Sequence, residues 1–319
     1  MSTRDPVQPF EIDSQSGYAR RDHRIVDYQL YRCPDTGLLF RGPQPTDLKA
    51  GEYFACLGAA QTFGCFCERP YPVLLQERLG LQALNLGHGG AAASFFLKHR
   101  VLLERVNRAA FAVVQIMSGR SESNSLFDSG GWEYLTRRSD GARMSSVAAY
   151  AELLRSAAPA SLRIGQREVY FFLRPPQHIK DVIAETRANW VHSHKTLLSE
   201  IRVPTLLLYI AKRRPSYQEF YFNVHLLLSE YPQLVNADMI DEIRGQATAY
   251  IECVSRRGSP QRLVDRDTGA PTSVDLSHDR PDFVGQWTHN AYYPSPEMHE
   301  DAAHLLEPAC RAVWQKTPK

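Results

Sequence analysis

The chain has 319 residues, of which 43% are hydrophobic and 23% charged, so it can bury a large core and does not read as a disordered segment. Its 37 Lys and Arg stand against 35 Asp and Glu, a formal net charge of +2. That balance gives no electrostatic case for nucleic acid or an anionic membrane surface as a partner.

The start, Met1 to Ser16, is polar and lacks the basic and apolar regions of a secretory signal. No apolar run approaches the ~18 residues of a membrane span. Six unevenly spaced cysteines do not suggest a disulfide framework, so a cytoplasmic protein with reduced thiols is expected. Residues 1–50 read as an N-terminal extension, in which Leu38-Leu39-Phe40 lies between the turn signals Pro34-Asp35-Thr36-Gly37 and Gly42-Pro43. From Tyr53 the pattern alternates strand and helix. Tyr53 to Leu57 is an apolar run ending in Gly58, and Pro72 to Leu79 has helical spacing. Leu84-Asn85-Leu86 then ends at the cluster Gly87, Gly89, Gly90, and a helical stretch follows from Ala91 to about Asn107. Phe111 to Met117 is apolar at nearly every position, the pattern of a strand buried on both faces.

An insertion occupies about 118–203. It holds a polar stretch from Ser118 to Asp140, a helix over Ser145 to Ser156, a strand over Val169 to Leu173 and a long helix from His178 to Ile201. Pro204 to Ile210 reads as the fourth core strand, ending at Lys212-Arg213-Arg214-Pro215. A helix near Met239 to Thr248 and a fifth strand over Ala249 to Val254 follow. Ser255 to Asp282 reads as a surface loop and Pro296 to Gln315 as an amphipathic helix. This order predicts an α/β fold over 51–319, with a parallel sheet of about five strands covered by helices on both sides.

Four segments carry a resemblance. Cys56-Leu57-Gly58-Ala59-Ala60-Gln61-Thr62-Phe63-Gly64 resembles the motif hydrophobic-Gly-Asp-Ser-x-x-x-Gly of the SGNH/GDSL hydrolase superfamily, with Ala59 replacing the Asp and Ala60 the nucleophilic Ser. Asn290-Ala291-Tyr292-Tyr293-Pro294 is similar to the C-terminal Asp-x-x-His-Pro block, with Asn290 at the carboxylate position and Tyr293 at the imidazole position. Asn85 to Gly90 resembles the second block, whose glycine gives an oxyanion N–H, a role the resemblance carries to Gly87. Gly119-Arg120-Ser121-Glu122 sits where the family has Gly-x-Asn-Asp, placing Ser121, or Arg120 one residue earlier, at the donor position. The resemblance implies a three-layer, flavodoxin-like sheet with a pocket over strands one to three. It argues against serine-esterase chemistry, because losing the nucleophile costs on the order of 10⁶ in turnover.

In an open parallel sheet, ligands bind outside the carboxyl ends of the strands. The residues expected there are Gly58, Ala60, Gln61, Gly87, Ser118, Ser121, Asn290 and Arg213. His88, in a glycine turn, is the best candidate for proton transfer and reads at least as well as a structural histidine, with Arg120 and Tyr293 as partners for developing charge. Lys212-Arg213-Arg214 suits an anion and reads equally as a solvated loop. Cys65-Phe66-Cys67 could offer a thiol nucleophile or packed core, and Cys-x-Cys alone does not make a zinc site. No metal is assigned, and the cofactor question stays open. Asp301 and His304 form an alternative dyad by spacing. Three readings remain. The first is a protein binding a small polar or anionic ligand, such as a carbohydrate or acylated metabolite, without esterase chemistry. The second is a transferase or hydrolase with a rebuilt site, and the third a scaffold with a vestigial pocket.

Overall fold

The computed structural model describes residues 17–165, 167–172, 174–275 and 285–315. Its centre is a parallel five-stranded sheet made of β1 (Tyr53–Gly58), β2 (Gln82–Gly87), β3 (Phe111–Gln115), β4 (Thr205–Ala211) and β5 (Ala249–Val254). The strands lie in the order β2-β1-β3-β4-β5, all parallel. This is the flavodoxin-like doubly wound order, whose switch point falls between β1 and β3. Gly58 pairs with Gly87, so β1 and β2 end level with each other.

Alternation along β1 explains why both faces need cover. Tyr53, Ala55 and Leu57 enter one core with Phe95, Trp190 and Leu197, while Phe54 and Cys56 enter the other with Leu75 and Leu306. Besides two short helices, Gly17–Asp22 and Val224–Leu228, the described helices are α1 (Ala60–Phe63), α2 (Tyr71–Leu79), α3 (Ala93–Lys98), α4 (Arg100–Val106), α5 (Ser146–Ala157), α6 (Gln177–Glu200), α7 (Ala237–Arg244) and α8 (Pro296–Trp314). The start of α2 carries a proline in its first turn, and its end is Gly80 at φ +66°, a left-handed cap that a side chain would strain. At α8 the Ser295 hydroxyl accepts the Met298 N–H at 3.2 Å.

The expected helix from Ala91 to Asn107 is two helices. His99 breaks it at φ −104°, ψ 67°, and its ring Nδ1 donates to the Phe95 carbonyl at 2.8 Å. Within the insertion, Phe127–Asp128, Tyr134–Arg137 and Arg143–Ser145 form a small antiparallel sheet. The expected strand ending at Leu173 is Arg167–Phe171, hairpinned with Ala160–Ile164, and Leu173 itself lies outside the described residues. That partner strand is exposed along its whole length, so no buried face marked it in the sequence. The insertion has its own core of Phe127, Leu135, Tyr150, Leu154, Tyr170 and Ile183. Helix α6 ties it to the sheet, because Ile183 faces this core and Trp190 the other.

The N-terminal segment covers the molecule rather than trailing from it. Residues 1–16 lie outside the described residues, as do 276–284, which take in the end of the expected surface loop. From Gly17 onward the chain packs Ile25, Val26 and Tyr28 against Phe63, Phe66 and Tyr293. Among the described residues no helix is long and apolar enough to cross a membrane. All six cysteines are buried and free.

Candidate functional site

The end of β1 and the start of α1 are held by one polar residue from the sheet interior. Gln115 is fully buried at the end of β3. Its Oε1 accepts the Ala59 N–H at 3.0 Å and the Thr62 hydroxyl at 2.7 Å, and its Nε2 donates to the Tyr231 hydroxyl at 2.5 Å. A side-chain Cβ at Gly58 would collide with Thr62 and Gln115, so Gly58 serves this packing and is not among the residues facing the cavity.

Segments from all four blocks meet at the strand ends. A cavity of about 20 Å³ is lined by Ala59, Ala60, Gln61, Gly90, Ser118, Arg120, Ser121, Tyr292 and Tyr293, together with Tyr18, Glu133 and Tyr231. That volume holds about one water-sized group. Tyr18, Tyr292 and Tyr293 stand around it. The Tyr293 hydroxyl donates to that of Tyr18 at 3.4 Å, and the rings of Tyr292 and Tyr293 meet edge to face at 4.9 Å.

Several expected site residues have other work. The Gly87 N–H donates to Asn85 Oδ1 at 2.9 Å, so this donor is committed within the turn. Gly87 lacks a side chain because the backbone of Phe63 lies against it, while Gly89 gives the same room to the ring of Tyr18. His88 does not face the cavity. It packs against Phe40, Phe95 and Trp132, and burial pushes its imidazole down to about 4, so the exposed, near-neutral group expected from the sequence is not present. Asn290 is fully buried and consumed by its own loop. Its Oδ1 accepts the N–H groups of Tyr292 and Tyr293, and its Nδ2 donates to Gln261 Oε1 and the Tyr293 carbonyl.

Arg213 is likewise structural. Its guanidinium donates to the carbonyls of Glu230, Pro232 and Val235 and stacks on Tyr217 at 4.3 Å, clamping the segment before α7 to the end of β4. Cys65 and Cys67 are packed core. Burial raises the Cys65 thiol well above its usual value and pushes Cys67 up to about 12, which removes the thiolate a nucleophile needs. The alternative dyad is dispersed, since Asp301 pairs with Arg257 and Ser255 while His304 is exposed.

Beside the small cavity lies a larger cleft of about 980 Å³, sharing Gln61, Arg120, Glu133, Tyr231 and Tyr292 with it. One wall is the end of β4 with Lys212. The other is the insertion, which contributes Tyr134, Arg155, Arg163, Arg167, Glu168 and Tyr170. Five cations (Arg120, Arg155, Arg163, Arg167, Lys212) face three carboxylates (Glu133, Glu168, Glu230). Glu133 pairs with Arg120, Glu168 with Arg155, and Glu230 with Arg256 outside the lining. Arg163, Arg167 and Lys212 are left with no ion pair among the described residues, a surplus that favours an anion.

Arg120 joins the two spaces and is 5% exposed. Its Nη2 donates to Glu133 Oε2 at 2.8 Å and to the Tyr292 hydroxyl at 3.1 Å, while its buried Nε has no acceptor among the described residues. Gln61, 2% exposed on the same two linings, has a buried Oε1 with no donor among the described residues. Ser118 donates to Gln233 Oε1 at 2.8 Å, and Ser121 lines the small cavity. Tyr18, Gln115, Glu133 and the arginines of the insertion were not singled out in the sequence. The glycine cluster was the available signal, because Gly89 and Gly90 make room for Tyr18 and Glu133.

A family model described as Domain of unknown function (DUF6473) matches residues 17–129 and 173–314. The unmatched stretch between them holds Glu133, Arg155, Arg163 and Arg167, most of the cleft wall from the insertion. No curated protein matches the chain by sequence. Among solved structures, a carbohydrate esterase family 2 enzyme with a carbohydrate-binding domain from Corynascus thermopiles (Myceliophthora fergusii) aligns at TM-score 0.40 and 11% identity, over 88% of this chain and 70% of that one. A structural-genomics protein from Lactobacillus plantarum aligns at TM-score 0.36 and 10% identity, over 83% and 99%. A protein from Slackia heliotrinireducens, whose description suggests an SGNH hydrolase, aligns at 0.34 and 14%, over 81% and 98%.

Proposed function

The chain belongs to the family described as Domain of unknown function (DUF6473), and from its site we propose that it binds a small anionic ligand in the cleft beside Arg120, without serine-esterase chemistry. The single observation that carries this reading is the buried Arg120 Nε, a charged donor without an acceptor among the described residues, at the junction of the cavity and a cationic cleft. A buried unpaired donor of this kind is costly, and an anionic oxygen relieves the cost with a charge-assisted bond.

The same geometry weighs against hydrolysis. Ala60 has no nucleophilic atom, Tyr293 stands at the imidazole position, and Asn290 is spent on its own loop. A tyrosine is a poor base near neutral pH, and the cavity beside residue 60, at about 20 Å³, holds no more than a water-sized group. A carbohydrate or acylated metabolite with a negative group fits the cleft, whose aromatic lining of Tyr134, Tyr170, Trp287 and Tyr292 offers apolar faces between the charges.

The test is an assay of purified protein on activated acyl esters, with a serine-directed phosphonate as a label. Turnover at background and no labelling agree with binding alone. Rapid turnover abolished by Cys65→Ala or His88→Ala would instead favour a rebuilt active site.

A further inference from the structure

Resting on that reading of the cleft, the geometry points to a ligand that carries a hydroxyl beside its negative group: a small polyol acid or polyol phosphate, gripped by Arg120 Nε and Gln61 Oε1 together. The two unpartnered atoms are opposite in kind. Arg120 Nε can only donate, and Gln61 Oε1 can only accept. Both residues line the small cavity and the larger cleft, and both side chains are more than nine-tenths buried.

A plain anion without a hydroxyl, such as acetate or sulfate, answers only half of this pair. Its oxygens accept from Arg120 but repel the amide oxygen of Gln61, leaving that acceptor buried and unmet. A neutral polyol has the reverse fault, giving Gln61 a hydroxyl proton while leaving the arginine without a negative oxygen. One molecule with both groups satisfies both atoms, and a site built around buried polar groups rejects ligands that leave them unpaired.

The remaining lining agrees with a ring bearing hydroxyls. Tyr292 accepts from both Arg120 and Gln233 at 3.1 Å, fixing its ring at the inner end, and Tyr134, Tyr170 and Trp287 continue along the cleft. At about 980 Å³ the cleft is at the upper end of small-molecule sites, so the inner grip leaves room for substituents toward Arg163 and Arg167.

The experiment is calorimetric titration of the full chain with D-glucuronate, D-glucose 6-phosphate, D-glucose, acetate and sulfate. The sugar carboxylate or the sugar phosphate should bind roughly tenfold or more tightly than acetate, sulfate or glucose. Whichever sugar anion prevails identifies the charged group. Gln61→Met should lower sugar-anion affinity to that of the plain anion while leaving the thermal midpoint unchanged, since Oε1 has no partner among the described residues to lose. Gln61→Asn, with the amide drawn back, should reproduce that loss and serves if the first variant folds poorly. Plain anions binding as tightly as sugar anions in the wild type would overturn the inference while sparing the anion reading. An amide turned end for end, presenting a second donor, would give that result. Absence of binding by every anion would overturn both.

Discussion

The hydroxyl of Tyr293 donates to that of Tyr18 at 3.4 Å, a bond between two residues 275 positions apart that both line the cavity beside Ala60. Tyr18 also packs on Phe63 at a ring separation of 5.8 Å, and burial holds its phenol well above its ordinary range. Tyr18→Ala should therefore enlarge the cavity and destabilise the fold by about 2–4 kcal/mol, within the range for a buried aromatic truncation. Urea unfolding reads this directly. A change below about 0.5 kcal/mol would mean that the segment around Tyr18 is not part of the packing around the site.

Restoring one catalytic atom should not restore catalysis. Ala60→Ser places a hydroxyl at the start of α1, but His88 faces Phe40, Phe95 and Trp132, and the loop after Asn290 presents a tyrosine. Turnover of p-nitrophenyl acetate should stay within a few fold of wild type. An increase of a hundredfold or more would show that a general base stands within reach of residue 60.

Two glycines separate packing from conformation. At Gly87 an added methyl would enter the backbone of Phe63, so Gly87→Ala should cost about 1–3 kcal/mol or more and disturb the first turn of α1. At Gly245, with φ −67° and no atom within 4 Å of the new carbon, Gly245→Ala should stabilise by about 0.4–1 kcal/mol. Thermal melts of both variants check the contrast. Equal effects would contradict the close approach of β2 to α1.

Glu122 makes stability depend on pH. Burial raises its carboxyl from 4.5 to about 8, against smaller opposing effects from the Ser193 hydroxyl, which donates at 2.7 Å, and from Lys98. The folded state thus holds a proton that the unfolded chain releases. Its contribution is fully present below about 4.5 and is lost as pH rises toward about 8. Glu122→Gln should flatten the dependence between pH 5 and 8, measured by denaturant midpoints. An unchanged slope would place the titration elsewhere.

Much of the scaffold was legible because it rests on local pattern. Phe111 to Gln115 is apolar on both faces because β3 lies in mid-sheet, and Ala249–Val254 is a strand with the bounds expected. The meeting of the four blocks was legible too, since strand ends of a parallel sheet share one edge. The role of each side chain was not. Whether His88 faces solvent or Trp132, or whether Arg213 faces a ligand or the carbonyl of Val235, depends on segments far away in sequence. Tyr18 was missed for the same reason, because nothing local in a polar N-terminal stretch announces that it will pack on Tyr293.

The central claim is that the cleft grips an anion through Arg120, and calorimetric titration of wild type against Arg120→Met with phosphorylated, sulfated and carboxylated sugars tests it most directly. Arg120→Met/Glu133→Gln, which also removes the carboxylate left behind, controls for an unpaired buried charge. A charge-assisted hydrogen bond is worth about 1.5–3 kcal/mol, so anion affinity should fall roughly 10- to 100-fold in both variants, with affinity for neutral sugars unchanged. Equal affinities for charged and neutral ligands in the wild type, or the same anion affinity with and without Arg120, would contradict it.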